Sequence, residues 1–99
     1  MSLVDNLNLV RNRIEHGWTQ WSYYIGATEC YCLAGAVWTV LSDIDDVFKA
    51  LSAELPSDYP FSPYSRTPEG RLITWNDDPK RTKEEVLALV DRAIERVKR

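Results

Sequence analysis

Between Tyr31 and Leu41 the chain is apolar on almost every side, and this run constrains the fold more than any other feature. It is too short for a membrane span, which needs about 18 apolar residues, and Gly35 and Thr39 interrupt it. A helix over Cys30–Leu41 would have no polar face. Such a helix is stable only when other elements surround it, so the spacing predicts a central buried helix. Cys32, Gly35, Ala36 and Thr39 give it one small-residue face that another element can approach closely.

The flanking segments carry the single apolar stripes that such a helix needs as cover. Leu3, Val4, Leu7, Val10 and Ile14 recur at helical spacing over Leu3–His16, with Ser2 as cap, Asp5 in the first turn and Gly17 as stop. Ile44, Val47, Phe48, Leu51 and Leu55 predict a helix over Asp43–Glu54, capped by Ser42 and ended by Pro56. Val86, Leu87, Val90, Ile94 and Val97 predict a last helix, with Thr82 and Glu85 in capping-box spacing.

Two stretches read differently. Trp18–Glu29 mixes aromatic and polar residues around Gly26 and suits a short strand or hairpin. From Pro56 to Arg71 four prolines alternate with Tyr59, Phe61 and Tyr64, which predicts an extended loop packed on the body of the protein. Leu72–Trp75 then suits a short strand, followed by a turn at Asn76-Asp77-Asp78-Pro79. The expected fold is mainly α: a single compact domain over residues 1–99, with about four helices and room for a short two-stranded β element.

Charge and cysteine content narrow the function. A net charge of −3 lacks the basic surplus through which proteins bind phosphate backbones, so nucleic acid is not an expected partner. Asp5 comes early, and no basic segment precedes an apolar one, so no secretory signal is expected. Cys30 and Cys32 stand too close together for an unstrained disulfide. Read as thiols, they fit a reducing compartment, and the expected location is cytoplasmic, with no membrane partner.

Three segments carry a family resemblance. They are Gly17-Trp18-Thr19-Gln20; Cys30-Tyr31-Cys32-Leu33-Ala34-Gly35-Ala36; and Trp75-Asn76-Asp77 with Thr82 and Glu85-Val86 behind it. In order and content the chain resembles the small bacterial and phage proteins of the domain of unknown function family 6197. Trp21 departs from that pattern, in which a small residue follows the Gln. The resemblance implies no activity. It implies only that the matching positions sit together.

Cys32 is the sharpest chemical candidate. A thiol near a helix N-terminus can have a lowered pKa, and its thiolate is a nucleophile. His16, the only histidine, would be the base, and Asn76 or Asp77 would orient it. The competing reading makes Cys32 a small buried packing residue. Cys30, Cys32 and His16 fall one ligand short of a tetrahedral metal site, so neither metal nor cofactor is expected. Phosphate loops, dinucleotide-binding glycine runs and the common hydrolase motifs do not appear in the sequence.

Four tryptophans and five tyrosines exceed what a core of this size obviously uses. The leading expectation is therefore a non-enzymatic accessory domain that binds an unidentified protein partner. Its surface would comprise Trp18, Gln20, Trp21, Tyr59, Tyr64 and Trp75, with self-association left open. A cysteine-dependent hydrolase or transferase built on Cys32 is the alternative.

Overall fold

A computed structural model describes residues 2–57, 59 and 66–99. The first helix, α1 (Leu3–His16), begins in a reciprocal capping box: Ser2 accepts from the Asp5 N–H, and Asp5 accepts from the Ser2 N–H. Leu7, Val10 and Ile14 are fully buried along its inner face. The last helix, α5 (Lys83–Lys98), repeats the device with Thr82 and Glu85, and it buries Val86, Leu89, Val90, Ala93 and Ile94. These two long helices pack along each other. Arg11 pins their outer edge by pairing with Glu15 and Asp91, each at 2.6 Å.

The segment expected to form one central helix is divided. Cys30–Tyr31 is a strand (β2), paired antiparallel with Tyr24–Ile25 (β1) in the register Tyr24 to Tyr31 and Ile25 to Cys30. The Tyr24 and Tyr31 rings stack at 4.6 Å. The turn between the strands contains Gly26, but Glu29 is the residue that takes a left-handed backbone, at φ 53°. Tyr31 is also held on its other side: its N–H donates to Gly17 O at 2.9 Å, and its carbonyl accepts from the Thr19 N–H at 3.0 Å. Backbone pairing on both sides takes Cys30 and Tyr31 out of the helix.

Helix α2 is consequently short (Leu33–Val37), and all five of its residues are buried. Beyond it the chain tightens into three-residue turns, with Thr39 N–H to Ala36 O and Val40 N–H to Val37 O, both 3.1 Å. The branched side chains of Val37, Thr39 and Val40 disfavour continuation. Trp38 and Leu41, expected inside, are exposed.

Helix α3 (Ile44–Ser52) buries Val47, Phe48 and Leu51, as their spacing predicts. Its cap is Asp43 rather than Ser42. Asp43 sits in the left-handed region at φ 57° and makes no side-chain capping bond. Ser42 instead presents its carbonyl to Asn6 Nδ2 at 3.1 Å, which ties the α2–α3 connection to α1.

The Leu72–Trp75 segment is helical, not a strand. Helix α4 (Pro68–Asn76) opens with Thr67 as cap, Pro68 in its first turn and Glu69 near the dipole's positive end. Those start signals extend helix through the branched pair Ile73-Thr74. The Thr74 hydroxyl donates back to Gly70 O at 3.0 Å. The count among the described residues is thus five helices rather than four, with the mainly α class and the small β element as expected. One hydrophobic core joins all five helices and reaches Cys32. Among the described residues, no helix is long and apolar enough to cross a membrane.

Candidate functional site

Asn76, at the C-terminal end of α4, is completely buried and organises its surroundings. Its Oδ1 accepts from Trp18 Nε1 at 2.7 Å and from the Leu33 N–H at 3.1 Å. Its Nδ2 donates to Thr19 O at 3.2 Å and to Asp77 Oδ1 at 3.0 Å. Both functions of the amide are satisfied. The Leu33 N–H begins α2 and has no partner within its own helix, so Asn76 supplies one.

Gln20 secures the same helix end. Its Nε2 donates to Asn76 O at 3.0 Å and to Asp78 O at 2.7 Å, satisfying one carbonyl in the last turn of α4 and one just beyond it. Trp75 is 4% exposed and packs into the core. The Arg81 guanidinium lies 4.0 Å from its ring centroid, and Arg81 Nε donates to Trp75 O at 2.9 Å. Asp78 and Glu85 hold Arg81 from the other side. The Tyr59 hydroxyl lies 3.3 Å from Asp78 Oδ2 and 3.4 Å from Thr74 O. The segments that carry the family resemblance therefore meet in one hydrogen-bonded junction.

Cys32 belongs to this junction as a cap. Its Sγ accepts from the Gly35 N–H at 3.3 Å, and its own N–H donates to Tyr23 O at 3.2 Å. The thiol is 4% exposed. Burial pushes its pKa up, and the Asp77 charge pushes the same way, outweighing the hydrogen bonds that favour the thiolate. The lowered pKa expected of a helix-start cysteine does not arise. His16 does not serve it either. The imidazole is exposed, with Nε2 3.2 Å from Glu29 Oε2, and it lines a cleft with Asn12, Arg13, Tyr24 and Tyr31. Cys32 lines a different cleft, with Asp77 but without His16.

The expected aromatic surface is redrawn. Trp75 is buried, Trp18 and Tyr59 are half-buried, and Tyr64 lies outside the described residues. Trp21 is 70% exposed, and Tyr23, Tyr24 and Ile25 beside it are also exposed. The sequence reading passed over those three. The run Trp21-Ser22-Tyr23-Tyr24-Ile25 was their signal: Tyr24 and Ile25 form a two-residue strand exposed at both positions, and Tyr23 lies in the bend before it. Arg81 had no signal, being one cation in a polar turn.

Trp21 is held in place. It occupies the left-handed region at φ 69°, which costs a bulky residue about 1–2 kcal/mol. Its N–H donates to Asp77 Oδ1 at 3.0 Å, and the adjacent Gln20 is fixed by two bonds. Behind it lies a cleft of about 130 Å³, lined by Trp21, Ser22, Tyr23, Cys32, Ile73 and Asp77. A roomier cleft of about 580 Å³ lies along α5, where Arg92, Arg96 and Arg99 face Glu54, Asp91 and Glu95. Its formal charges balance, and Arg96 is paired with Glu54.

Nothing among curated proteins or solved structures matches the chain. The family model described as "Family of unknown function (DUF6197)" matches residues 1–96, and the chain belongs to that family.

Proposed function

We propose that this protein is a non-enzymatic binding module that engages a protein partner through the exposed aromatic face of residues 21–25, edged by Trp18 and Gln20. The observation that carries this reading is Trp21. A large indole stands 70% exposed on a strained backbone, which Asp77 holds through the Trp21 N–H while the adjacent Gln20 is bonded to Asp78 O. Strain retained by surrounding structure is a mark of functional positions. Rigid, exposed Trp and Tyr side chains are the residues that dominate protein interfaces. Cysteine chemistry has less support, because Cys32 is buried, its pKa is raised, and His16 lines another cleft.

The net charge of −3 favours a protein over nucleic acid. Both cysteines are free, which suits the reducing cytoplasm of a bacterial or phage-infected cell. The test compares wild type with Trp21→Ala and Tyr23→Ala in quantitative capture from such a cell. The captured protein is then purified and its affinity measured directly. Both variants should fold and bind at least about tenfold more weakly, as alanine replacement of an interface anchor does. Equal binding by folded variants overturns the proposal. Concentration-dependent sedimentation that Trp21→Ala abolishes would identify the partner as a second copy of the chain.

A further inference from the structure

The cleft behind Trp21 has a chemistry of its own. Its volume of about 130 Å³ is far below the roughly 300–1,000 Å³ of small-molecule sites, so it suits a single side chain. Trp21 and Tyr23 offer aromatic surface, Ile73 lies among them, and Asp77 brings a carboxylate. Asp77 Oδ1 is occupied by the Trp21 N–H and by Asn76 Nδ2. Asp77 forms no ion pair with any described residue. Its neighbour Asp78 differs in this, being matched with Arg81.

The negative character of the region extends beyond Asp77. Glu69, Ile73 and Asp77 follow at four-residue intervals on and just past α4, and so share one side of it. The Glu69 charge is felt at the Tyr23 hydroxyl, and that of Asp77 at the Cys32 thiol. Asp77 also caps the C-terminal end of α4, where the helix dipole favours cations. Arg81, the cation that joins the junction, is committed to Trp75, Asp78 and Glu85.

Resting on the binding reading above, we propose that this cleft receives a basic side chain of the partner protein, its cationic head on Asp77 and its stem against Trp21 and Tyr23. An aromatic wall beside an unpaired carboxylate is the arrangement that recognises ammonium and guanidinium groups. The partner is accordingly a protein that presents an exposed lysine or arginine at the contact.

The test uses the whole chain and three probes: the N-acetyl N-methylamides of lysine, arginine and norleucine. The last is a stem without the charge. Binding is read by NMR at the Trp21 indole. At least one cationic probe should shift that signal with a dissociation constant on the order of 1–10 mM, as suits so small a ligand. Norleucine should bind at least about fivefold more weakly. Asp77→Asn keeps an oxygen for the Trp21 N–H but removes the charge, and should weaken the cationic probe about five- to tenfold. Glu69→Gln should weaken it less, about twofold. An unshifted Trp21 signal, equal binding of norleucine, or undiminished binding by folded Asp77→Asn overturns the proposal. The two readings fail separately. Partner capture that depends on Trp21 but survives Asp77→Asn would discard the cationic anchor and keep the binding face.

Discussion

Asn76→Ala is the substitution that bears most directly on the junction. The side chain is fully buried and makes four hydrogen bonds, to Trp18, Leu33, Thr19 and Asp77. Alanine leaves the Leu33 N–H, at a buried helix start, without a partner, and that alone costs about 1–3 kcal/mol. Trp18 is half-buried, so its indole N–H recovers part of its solvation and adds about 1 kcal/mol. With Thr19 O also released, the total is about 3–5 kcal/mol, a large part of the roughly 5–15 kcal/mol by which such proteins are stable. Urea unfolding followed by tryptophan fluorescence measures it. With a slope of about 1.5 kcal/mol/M, the midpoint should fall by about 2–3 M. A double-mutant cycle makes the reasoning stricter. Trp18→Phe removes the indole N–H, so its cost should shrink by about 1 kcal/mol when Asn76 is already alanine. A loss under 1 kcal/mol for Asn76→Ala, or strict additivity with Trp18→Phe, refutes the account of the junction.

Gly35→Ala should be equally severe. A Cβ there would stand 1.9 Å from Tyr23 O, a backbone atom pinned by the Cys32 N–H, so circular dichroism should show a melting point lowered by 10 °C or more, from a cost of about 3 kcal/mol. The Cys32 thiol, its pKa raised by burial, should resist iodoacetamide at neutral pH until the protein unfolds, and peptide mass mapping that found rapid labelling would contradict this. A raised folded pKa contributes stability that is present below the unfolded value and lost above it, so Cys32 should lower stability as pH rises past the ordinary thiol value of 9.0. Glu85 acts with the opposite sign: the Thr82 N–H lowers its pKa below 4.5, so its contribution is present above that pH and lost below it. Glu85→Gln should flatten the acid limb of a stability–pH profile, and an unchanged limb would rule the capping carboxylate out as its source.

The long helices were legible because several local signals coincide in them. Ser2 with Asp5 and Thr82 with Glu85 mark the starts of α1 and α5, and apolar residues follow at one period. Legibility failed where tertiary hydrogen bonds overruled the local pattern. Cys30–Tyr31 has a helical neighbourhood, but Gly17, Thr19 and the β1 strand claim its backbone. The Leu72–Trp75 stretch reads as a strand by its branched residues, while its helix begins at Pro68, outside that window. For the site, the resemblance implied only that the matching segments sit together, and Asn76 is in fact bonded to Trp18, Gln20 and Leu33. No spacing could reveal that Cys32 caps α2 from inside the core, or that Trp75 is covered by Arg81.

The junction and the binding face are therefore separate in substance though adjacent in space. Trp18, Asn76 and Trp75 are held inward, and their loss should act through stability. Trp21 faces outward, and its removal should leave the core untouched. Trp21→Asn separates the two roles. Asparagine tolerates a left-handed backbone far better than tryptophan, so the strain of about 1–2 kcal/mol should be relieved in part. Little packing is lost, because the indole is 70% exposed. The melting point should hold or rise by a few degrees while partner capture disappears. A clear fall in melting point would instead mean that the Trp21 ring supports the fold, and its strained exposure would no longer argue for recognition.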